Sequence, residues 1–241
     1  ILSAGYKVVA LCDLIEQRAL DRQKEFYPKA DVYLDYHDLL ARPDIDVVDI
    51  ATHPKDREPI LVDAIKAGKH VLSQKPFVLD LDFGRELIKL ADKHRVKLAV
   101  NQNGRWAPHF SYMRSAVSSG LLGEVFAVHL SVHWNHNWVK GRPFDKIRHC
   151  ILYDFAIHWF DMLACFMGEV SPLRVYASEA RTSTQTNKPP MLGQVIVEYP
   201  HAQATLVFDA ATKFGAADYS YVTGSLGTLE SAGPDLSHQT V

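Results

Sequence analysis

Residues 47–76 read VVDIATHPKDREPILVDAIKAGKHVLSQKP, and this stretch passes from a strand pattern through a helix pattern to a second strand pattern. The apolar runs Val47–Thr52 and His70–Ser73 have the length expected of strands that are buried on both faces. Between them, Arg57–Ala67 has helical spacing, and Pro59 falls in the first turn of the predicted helix, where proline is tolerated. Strand, helix and strand in this order predict a right-handed crossover between two parallel strands.

The same alternation continues on both sides of this stretch. Upstream, Lys7–Asp13 is a short apolar strand pattern and Glu16–Phe26 a helix pattern; downstream, Asp80 caps a helix that reaches about His94, and Lys97–Asn101 is a further strand pattern. Repeated alternation of this kind predicts an α/β domain, a doubly wound (Rossmann) parallel sheet with helices on both faces, over residues 1–103. Such sheets bind ligands beyond the carboxyl ends of their strands.

The predicted sheet is incomplete in one respect. A dinucleotide-binding sheet carries a Gly-rich phosphate loop about 20 residues before the acid that ends its second strand. Only twelve residues precede Asp13, and none of the 13 glycines forms a G-x-G-x-x-G motif. We therefore expect this sequence to lack the first strand of the sheet and the loop that follows it, so that the dinucleotide-binding domain is incomplete at its N-terminus.

From residue 104 to 241 the pattern changes and predicts an α+β domain with a mixed, largely antiparallel open sheet. Val125–Trp134 alternates with period two, which places apolar and polar side chains on opposite faces of a strand. Helices are predicted over Pro108–Ser119 and Ile151–Phe166. Further strands are predicted over Leu173–Ser178, Gln194–Tyr199, Ala202–Phe208 and Tyr219–Thr223.

One face of such a sheet needs cover, and the sequence offers apolar side chains for it. We expect this domain to bind the substrate and to form a homo-oligomer, a dimer or a tetramer. The apolar positions expected to form the interface are Val195, Val197, Leu206 and Phe208.

Composition excludes several classes of partner. Of the 241 residues, 47% are apolar and 22% are charged, as in ordinary globular proteins. Because 26 basic and 28 acidic residues give a net charge of −2, the chain lacks the basic surface that nucleic acids require. It has no run of eighteen uncharged apolar residues, so no membrane span is expected. Three cysteines without a C-x-x-C motif predict reduced thiols and a cytoplasmic location.

Candidate cofactor residues follow the predicted strands. Asp13 ends a buried strand, where a carboxylate can accept both ribose hydroxyls of an adenine dinucleotide and repels a 2′-phosphate, which favours NAD over NADP. The other residues at carboxyl ends of strands are Thr52, His53, Pro54, Gln74, Lys75 and Asn101.

Candidate catalytic residues lie in both domains. Lys75 follows a strand directly, where an ammonium group can stabilise a developing alkoxide. In the predicted helix Ile151–Phe166, Asp154, His158 and Asp161 are spaced by four and three residues, which places them on one stripe of an otherwise apolar α-helix. Histidine titrates near neutral pH, so His158 is the candidate general acid or base.

Two segments suit a polyhydroxylated ligand. Residues 101–108 read NQNGRWAP and residues 133–138 read HWNHNW, which combines aromatic faces with amide, imidazole and guanidinium groups. The candidate substrate-binding residues are Arg105, Trp106, His133, Trp134, Asn135 and Asp154.

Taken in order, these segments resemble the Gfo/Idh/MocA family of NAD(P)-dependent oxidoreductases. The landmarks that carry the resemblance are Asp13, the T-H-P loop with Arg57, A-G-K-H-V at 67–71 followed by Lys75–Pro76, N-x-R-x-x-P at 103–108, S-G-x-L-G-E-V at 119–125, and D-x-x-x-H at 154–158. They cover nearly the whole chain.

The resemblance implies an NAD-dependent dehydrogenase that acts on a CH–OH group of a sugar, cyclitol or related polyol. It implies that Lys75 and His158 are catalytic, that Asp154 holds the substrate or tunes His158, and that Asp13 and the T-H-P loop border the cofactor. The chain departs from the family pattern at Gln74, where glutamate is frequent, and at Arg57, where histidine is common.

Other readings of the same residues remain open. A metal-dependent hydrolase or isomerase is the first, although the spacing of the candidate ligands matches no closed motif such as H-E-x-x-H, and we expect no metal. The second is a binding protein that keeps the fold without a cofactor, and the third is a glycosidase that uses NAD transiently. The candidate ligands of the first reading are His129, His133, His136, Asp154 and His158.

Overall fold

Parallel strands and helices alternate in the first of two units into which the chain divides, with the division between Asn101 and Gln102. The structure is a computed structural model that describes residues 5–241. The strands of the first unit are β1 (Ala10–Cys12), β2 (Asp31–Tyr33), β3 (Val47–Ile50), β4 (His70–Gln74) and β5 (Leu98–Asn101). Its helices are α1 (Glu16–Phe26), α2 (Tyr36–Leu40), α3 (Pro54–Lys66) and α4 (Leu81–His94).

The strands of the first unit form two parallel sheets, β1–β2 and β3–β4–β5. A doubly wound sheet would place one further strand between β1 and β3. Within residues 5–101 no strand occupies that position. The parallel Rossmann-like architecture itself is confirmed.

Local sequence signals set several of these elements. The Asp80 carboxylate accepts hydrogen bonds from the backbone N–H groups of Asp82 and Phe83, so the predicted cap of α4 is confirmed. The predicted start of α3 at Arg57 is wrong, because the helix begins at Pro54 and carries Pro59 in its interior. Pro54 occupies the first turn instead, where its missing N–H group costs nothing.

The second unit is built on a six-stranded sheet in the order β11–β10–β6–β9–β8–β7, in which only β6 and β9 pair in parallel within the described residues. The predicted mixed, largely antiparallel sheet is therefore confirmed. Its strands are β6 (Val125–His133), β7 (Arg174–Ala180), β8 (Leu192–Glu198), β9 (Gln203–Asp209), β10 (Ala217–Gly224) and β11 (Thr228–Gly233). The helices α5 (Pro108–Ser118) and α6 (Ile157–Met167) pack against each other, and α6 packs against β6.

One face of this sheet is the core of the second unit. Val128, Leu130 and Val132 of β6 are buried on this face, together with Trp159 and Met162 of α6. The prediction that Val195, Val197, Leu206 and Phe208 form a subunit interface is wrong, because all four are buried in this core. Alternation along β8 and β9 identified a buried face correctly, but it does not say whether a helix or a second subunit covers that face.

The segment before α6 also differs from prediction. Ile151–Phe155 is a π-helix, closed by a 2.8 Å hydrogen bond from the Ala156 N–H to the Ile151 carbonyl, so a single α-helix over Ile151–Phe166 is wrong. A π-turn holds one residue more than an α-turn, and π-turns are frequent at functional sites. Asp154 and His158 therefore do not share an α-helical stripe, whereas His158 and Asp161 lie three residues apart within α6.

The helices are all short. The longest in the described part of the chain is α4, with 14 residues. A helix needs about 20 predominantly apolar residues to cross a bilayer. Among residues 5–241 no helix has the length and the apolar character for that.

A buried carboxyl group interrupts the core face of the sheet. Asp218 of β10 lies opposite Val132 of β6 and Gly233 of β11, and it is 1% exposed. Burial, with a smaller contribution from the carboxylate of Asp235, raises the pKa of Asp218 to about 7. The native fold therefore favours the protonated form of this side chain.

Asp218 should make the stability of the protein depend on pH. An unfolded aspartate ionises at about pH 4, whereas the native carboxyl stays protonated up to about pH 7. Between these two values the free energy of unfolding therefore falls by up to about 1.4 kcal/mol for each unit of pH. We expect the wild-type protein to lose stability relative to Asp218→Asn as the pH rises through this range, with a constant difference above it. Denaturant unfolding at pH 4.5 to 8 measures this difference.

Glu169→Gln, a substitution at an exposed carboxylate of the same unit, is the control and should follow the wild-type protein. A difference between wild type and Asp218→Asn that does not change with pH would contradict the assignment.

Candidate functional site

The carboxyl edge of the β3–β4–β5 sheet gathers most of the predicted cofactor residues. The strands are parallel and in register, with Gln74 of β4 opposite Asn101 of β5. The T-H-P loop follows β3, and Lys75 follows β4. Because parallel strands end at the same edge, the structure brings these residues of the first unit together, as the sequence predicted.

A buried arginine ties two of these loops to each other. Arg57, in α3, is 1% exposed. Its Nε and Nη2 atoms donate to the Thr52 carbonyl at 3.2 and 2.6 Å, and its Nη1 atom donates to the Pro76 carbonyl at 2.6 Å. Nη1 also donates to the Gln74 carbonyl. One guanidinium group thus fixes the backbone on both sides of Lys75 relative to the loop that follows β3.

The side chain of Gln74 also serves the backbone. Its Oε1 atom accepts a 2.8 Å hydrogen bond from the N–H group of Lys75. The glutamine at this departure from the family pattern thus supports the turn that carries the lysine. Lys75 itself is half-buried.

The end of β1 is acidic. The Asp13 carboxylate accepts a 2.8 Å hydrogen bond from the Ile15 N–H, and the backbone N–H of Asp13 donates to the Tyr33 carbonyl at 3.3 Å. Burial raises the pKa of the neighbouring Cys12 thiol, and the nearby carboxylates Asp35, Asp13 and Asp38 raise it further. The negative charge at this strand end disfavours a second anion there.

In the second unit, His158 rests against the backbone of a short 3₁₀ helix, Asn103–Trp106, which we call the NGRW turn. Gly104 of this turn is buried, and a Cβ atom built on it would lie 3.2 Å from His158 Nδ1. The next residue, Arg105, donates from Nε and Nη2 to the two carboxylate oxygens of Asp161 at 2.5 and 2.6 Å. The NGRW turn is therefore fastened to α6 at two points.

Aromatic side chains surround the beginning of α6. The rings of Trp134 and Trp159 meet edge to face, with centroids 5.6 Å apart, and the ring of Phe155 lies 4.9 Å from that of Trp159. His136 lies 3.9 Å from Phe155 between ring centroids. The rings of Trp159 and His158 are nearly perpendicular, with centroids 6.3 Å apart. Aromatic faces next to an imidazole suit the C–H faces of a sugar or cyclitol ring.

The structure places the predicted substrate residues in different surroundings. Trp134 belongs to the aromatic cluster beside His158, whereas the His133 imidazole bonds Asp209 at 2.7 Å on the other face of the sheet. The Asn135 amide oxygen accepts two hydrogen bonds from Asn137, one from its backbone and one from its side chain. Trp106 is exposed and lies under the guanidinium group of Arg114.

Among the described residues, the candidate metal ligands do not lie together. In residues 5–241, no three His, Cys, Asp or Glu side chains lie close enough to hold one metal ion. His129 bonds the Thr205 hydroxyl and His133 bonds Asp209, both on the exposed face of the sheet. Nothing in this arrangement favours the metal-dependent reading.

Two family models match this chain, one for each unit. Residues 2–102 match the oxidoreductase family model with an NAD-binding Rossmann fold, and residues 110–230 match the GFO/IDH/MocA C-terminal domain. The chain belongs to the GFO/IDH/MocA oxidoreductase family. The resemblance drawn from the sequence landmarks is confirmed.

The chain is similar to proteins that are named as sugar and cyclitol dehydrogenases. The chain is 28% identical to D-apiose dehydrogenase of Paraburkholderia graminis over 74% of this chain and 48% of that protein. It is 27% identical to inositol 2-dehydrogenase of Salmonella typhimurium over 94% of this chain and 66% of that protein. The chain thus spans about half to two thirds of the length of these two relatives.

A solved structure matches most of the chain. The crystal structure of a putative myo-inositol dehydrogenase from Sinorhizobium meliloti superimposes with a TM-score of 0.82 and 26% identity. The match covers 94% of this chain and 68% of that one. It confirms the fold of a Rossmann-like unit followed by a mixed-sheet unit.

The sequence did not predict which residues support the candidate site residues. Arg57 stood out only as a departure from the family pattern, because its charged neighbours Asp56 and Glu58 gave no signal that it is buried. Gly104 carried no signal, because a glycine that one side chain approaches closely looks in sequence like any loop glycine. Lys75 lies in the first unit and His158 in the second, so their meeting at one substrate stays a prediction.

Replacement of Arg57 should loosen the first unit. Arg57→Met leaves three backbone carbonyls without their donor, and we expect it to lower the free energy of unfolding by about 3 kcal/mol. Urea denaturation measures this loss.

Arg85→Met is the matched control, because Arg85 is exposed and pairs at the surface with Asp82. It should change stability by less than about 0.5 kcal/mol. Equal effects of the two substitutions would contradict the role given to Arg57.

Proposed function

We propose that this chain is part of an NAD-dependent dehydrogenase that acts on a CH–OH group of a sugar, cyclitol or related polyol. The observation that carries the proposal is the position of Lys75 at the carboxyl edge of β4, in a unit that matches an NAD-binding family model. Doubly wound sheets bind dinucleotides at this edge. The relatives named above act, by their names, on D-apiose and inositol.

The residues present fit both ends of a dinucleotide, the adenosine end and the nicotinamide end. Asp13, which keeps one carboxylate oxygen outside its bond to Ile15, would hold the adenosine ribose. Thr52, His53 and Pro54 with Gln74, Lys75 and Asn101 would border the nicotinamide side. The acidic end of β1 favours NAD over NADP, because Asp13, Asp35 and Asp38 would repel a 2′-phosphate. When bound, the nicotinamide ring supplies the acceptor or donor for the transferred hydrogen.

The chain's own residues would manage the proton and the charge on oxygen. His158 would take the proton of the substrate hydroxyl during oxidation and return it during reduction. The ammonium group of Lys75 would stabilise the negative charge that develops on the same oxygen. Asp154, on the π-turn before α6, would hold the substrate or tune His158. Trp134 and Phe155, which are only partly buried, would take the C–H face of the ring.

We further propose that the protein works as a cytoplasmic homo-oligomer. The chain has only three cysteines and no C-x-x-C motif, which suits a reducing compartment. The sheet face opposite the core exposes Tyr176 of β7 and Ile196 of β8, which lie opposite each other and are 50% and 41% exposed, and it offers a surface for a second subunit.

Light scattering of the purified protein measures its subunit number. We expect at least a dimer at micromolar concentration, and that Ile196→Lys shifts it toward the monomer because it places a charge in the apolar patch. A monomeric wild-type protein contradicts the proposed assembly.

Loss of the His158 imidazole should stop chemistry without preventing cofactor binding. In the whole enzyme, we expect His158→Ala to lower kcat by at least about 10². NADH affinity, measured by quenching of tryptophan fluorescence, should stay nearly unchanged, because His158 acts on the substrate. Steady-state kinetics on candidate polyols measure the first effect.

The same titration tests the preference for NAD over NADP. It also tests the alternative that the chain is a binding protein without a cofactor. NADH should quench the tryptophan fluorescence of the wild-type protein at a lower concentration than NADPH does. Absence of any response to NADH contradicts the dehydrogenase proposal, and unaltered turnover of His158→Ala removes His158 from the mechanism.

A further inference from the structure

The close approach between Gly104 and His158 is unusual for a glycine. A Cβ atom at position 104 would lie 3.2 Å from His158 Nδ1 and 3.3 Å from its Cβ and Cγ atoms, tighter than nine in ten real Cβ contacts. The φ angle of Gly104 is outside the left-handed range, so the backbone conformation does not demand glycine there. What demands it is the imidazole, which occupies the space that any side chain would fill.

The NGRW turn is held in this place by a bidentate ion pair. Both carboxylate oxygens of Asp161 accept hydrogen bonds from Arg105, and the Asp161 side chain is only 12% exposed. A two-point pair between a guanidinium and a carboxylate fixes orientation as well as distance. Asp161 lies one turn after His158 in α6, so the ion pair fixes the NGRW turn next to the residue on which Gly104 rests.

We propose that the NGRW turn positions the imidazole of His158, with Gly104 as the surface behind the ring and the Arg105–Asp161 ion pair as the clamp that holds this surface against α6. The inference rests on the proposed role of His158 as general acid and base. Arg105 and Asp161 are then positioning residues that act through His158 and need not touch the substrate.

This assignment differs from the sequence-based prediction for Arg105. The sequence predicted that its guanidinium binds the substrate directly, and such a residue, when replaced, raises KM. A positioning residue leaves the affinity for substrate nearly intact and lowers kcat, because proton transfer depends steeply on the placement of the base. The two roles are therefore separable by kinetics.

Gly104→Ala is the most direct test. The added methyl group should displace the imidazole by a few tenths of an ångström, and we expect kcat to fall about tenfold or more while KM changes less than about twofold. In NMR spectra, the chemical shifts of the His158 ring protons should move. Gly227→Ala is the matched control, because the nearest atom to its Cβ is the Leu121 carbonyl oxygen at 3.9 Å and its φ is also outside the left-handed range.

The ion pair is tested separately by Asp161→Asn, Arg105→Gln and the double variant. If both residues act through one clamp, each single variant lowers kcat by a similar factor and the double variant loses little more than either. KM should change little in all three. Should Gly104→Ala not fold, this series decides the proposal by itself.

The outcomes separate this inference from the proposed function. If His158→Ala abolishes turnover while Gly104→Ala matches Gly227→Ala in kcat and in the His158 ring signals, the positioning role is wrong and the proposed function stands. If Arg105→Gln raises KM strongly and Asp161→Asn does not, Arg105 binds substrate and the clamp is wrong. If His158→Ala leaves turnover intact, the proposed function itself fails.

Discussion

The buried guanidinium of Arg57 holds together the edge on which the first unit depends. Parallel pairing of β3, β4 and β5 brings three strand ends to one side, but the loops that follow them are not constrained by the sheet. Arg57 constrains two of these loops, because it donates to carbonyls on both sides of Lys75 and to Thr52. A charge with several acceptors can be buried, whereas a charge without them could not.

The second unit also holds a candidate catalytic residue in place, but through other contacts. His158 has to be held at the beginning of a helix whose preceding turn is π-helical and whose far face is packed in the core. The NGRW turn supplies the support, through the close contact at Gly104 and the ion pair between Arg105 and Asp161. In both units a residue with proposed chemistry is flanked by residues that fix backbone or ring position. This division of labour is what preorganised catalysis requires.

Much of the fold could be predicted from sequence, because its signals are local. Period-two alternation located β6, and the Asp80 cap located the start of α4. The π-turn at Ile151–Phe155 could not be predicted, because apolar spacing does not reveal a single extra residue in one turn. The wrong interface at Val195 and Phe208 has a related cause: alternation shows that a face is buried, and only tertiary structure shows what buries it.

The chemistry of the candidate site residues can be proposed from sequence, but the residues that support them could not be predicted. Lys75, Asp13 and His158 carry ionisable groups at strand ends or on an apolar helix, which sequence reveals. The proposed reaction requires that Lys75 and His158 meet at one substrate oxygen. A crystal structure of the whole enzyme with NADH and a polyol substrate measures this most directly. We predict Lys75 Nζ and an imidazole nitrogen of His158 within about 3 Å of the reacting hydroxyl oxygen. Either nitrogen directed away from the substrate in that complex would contradict the account.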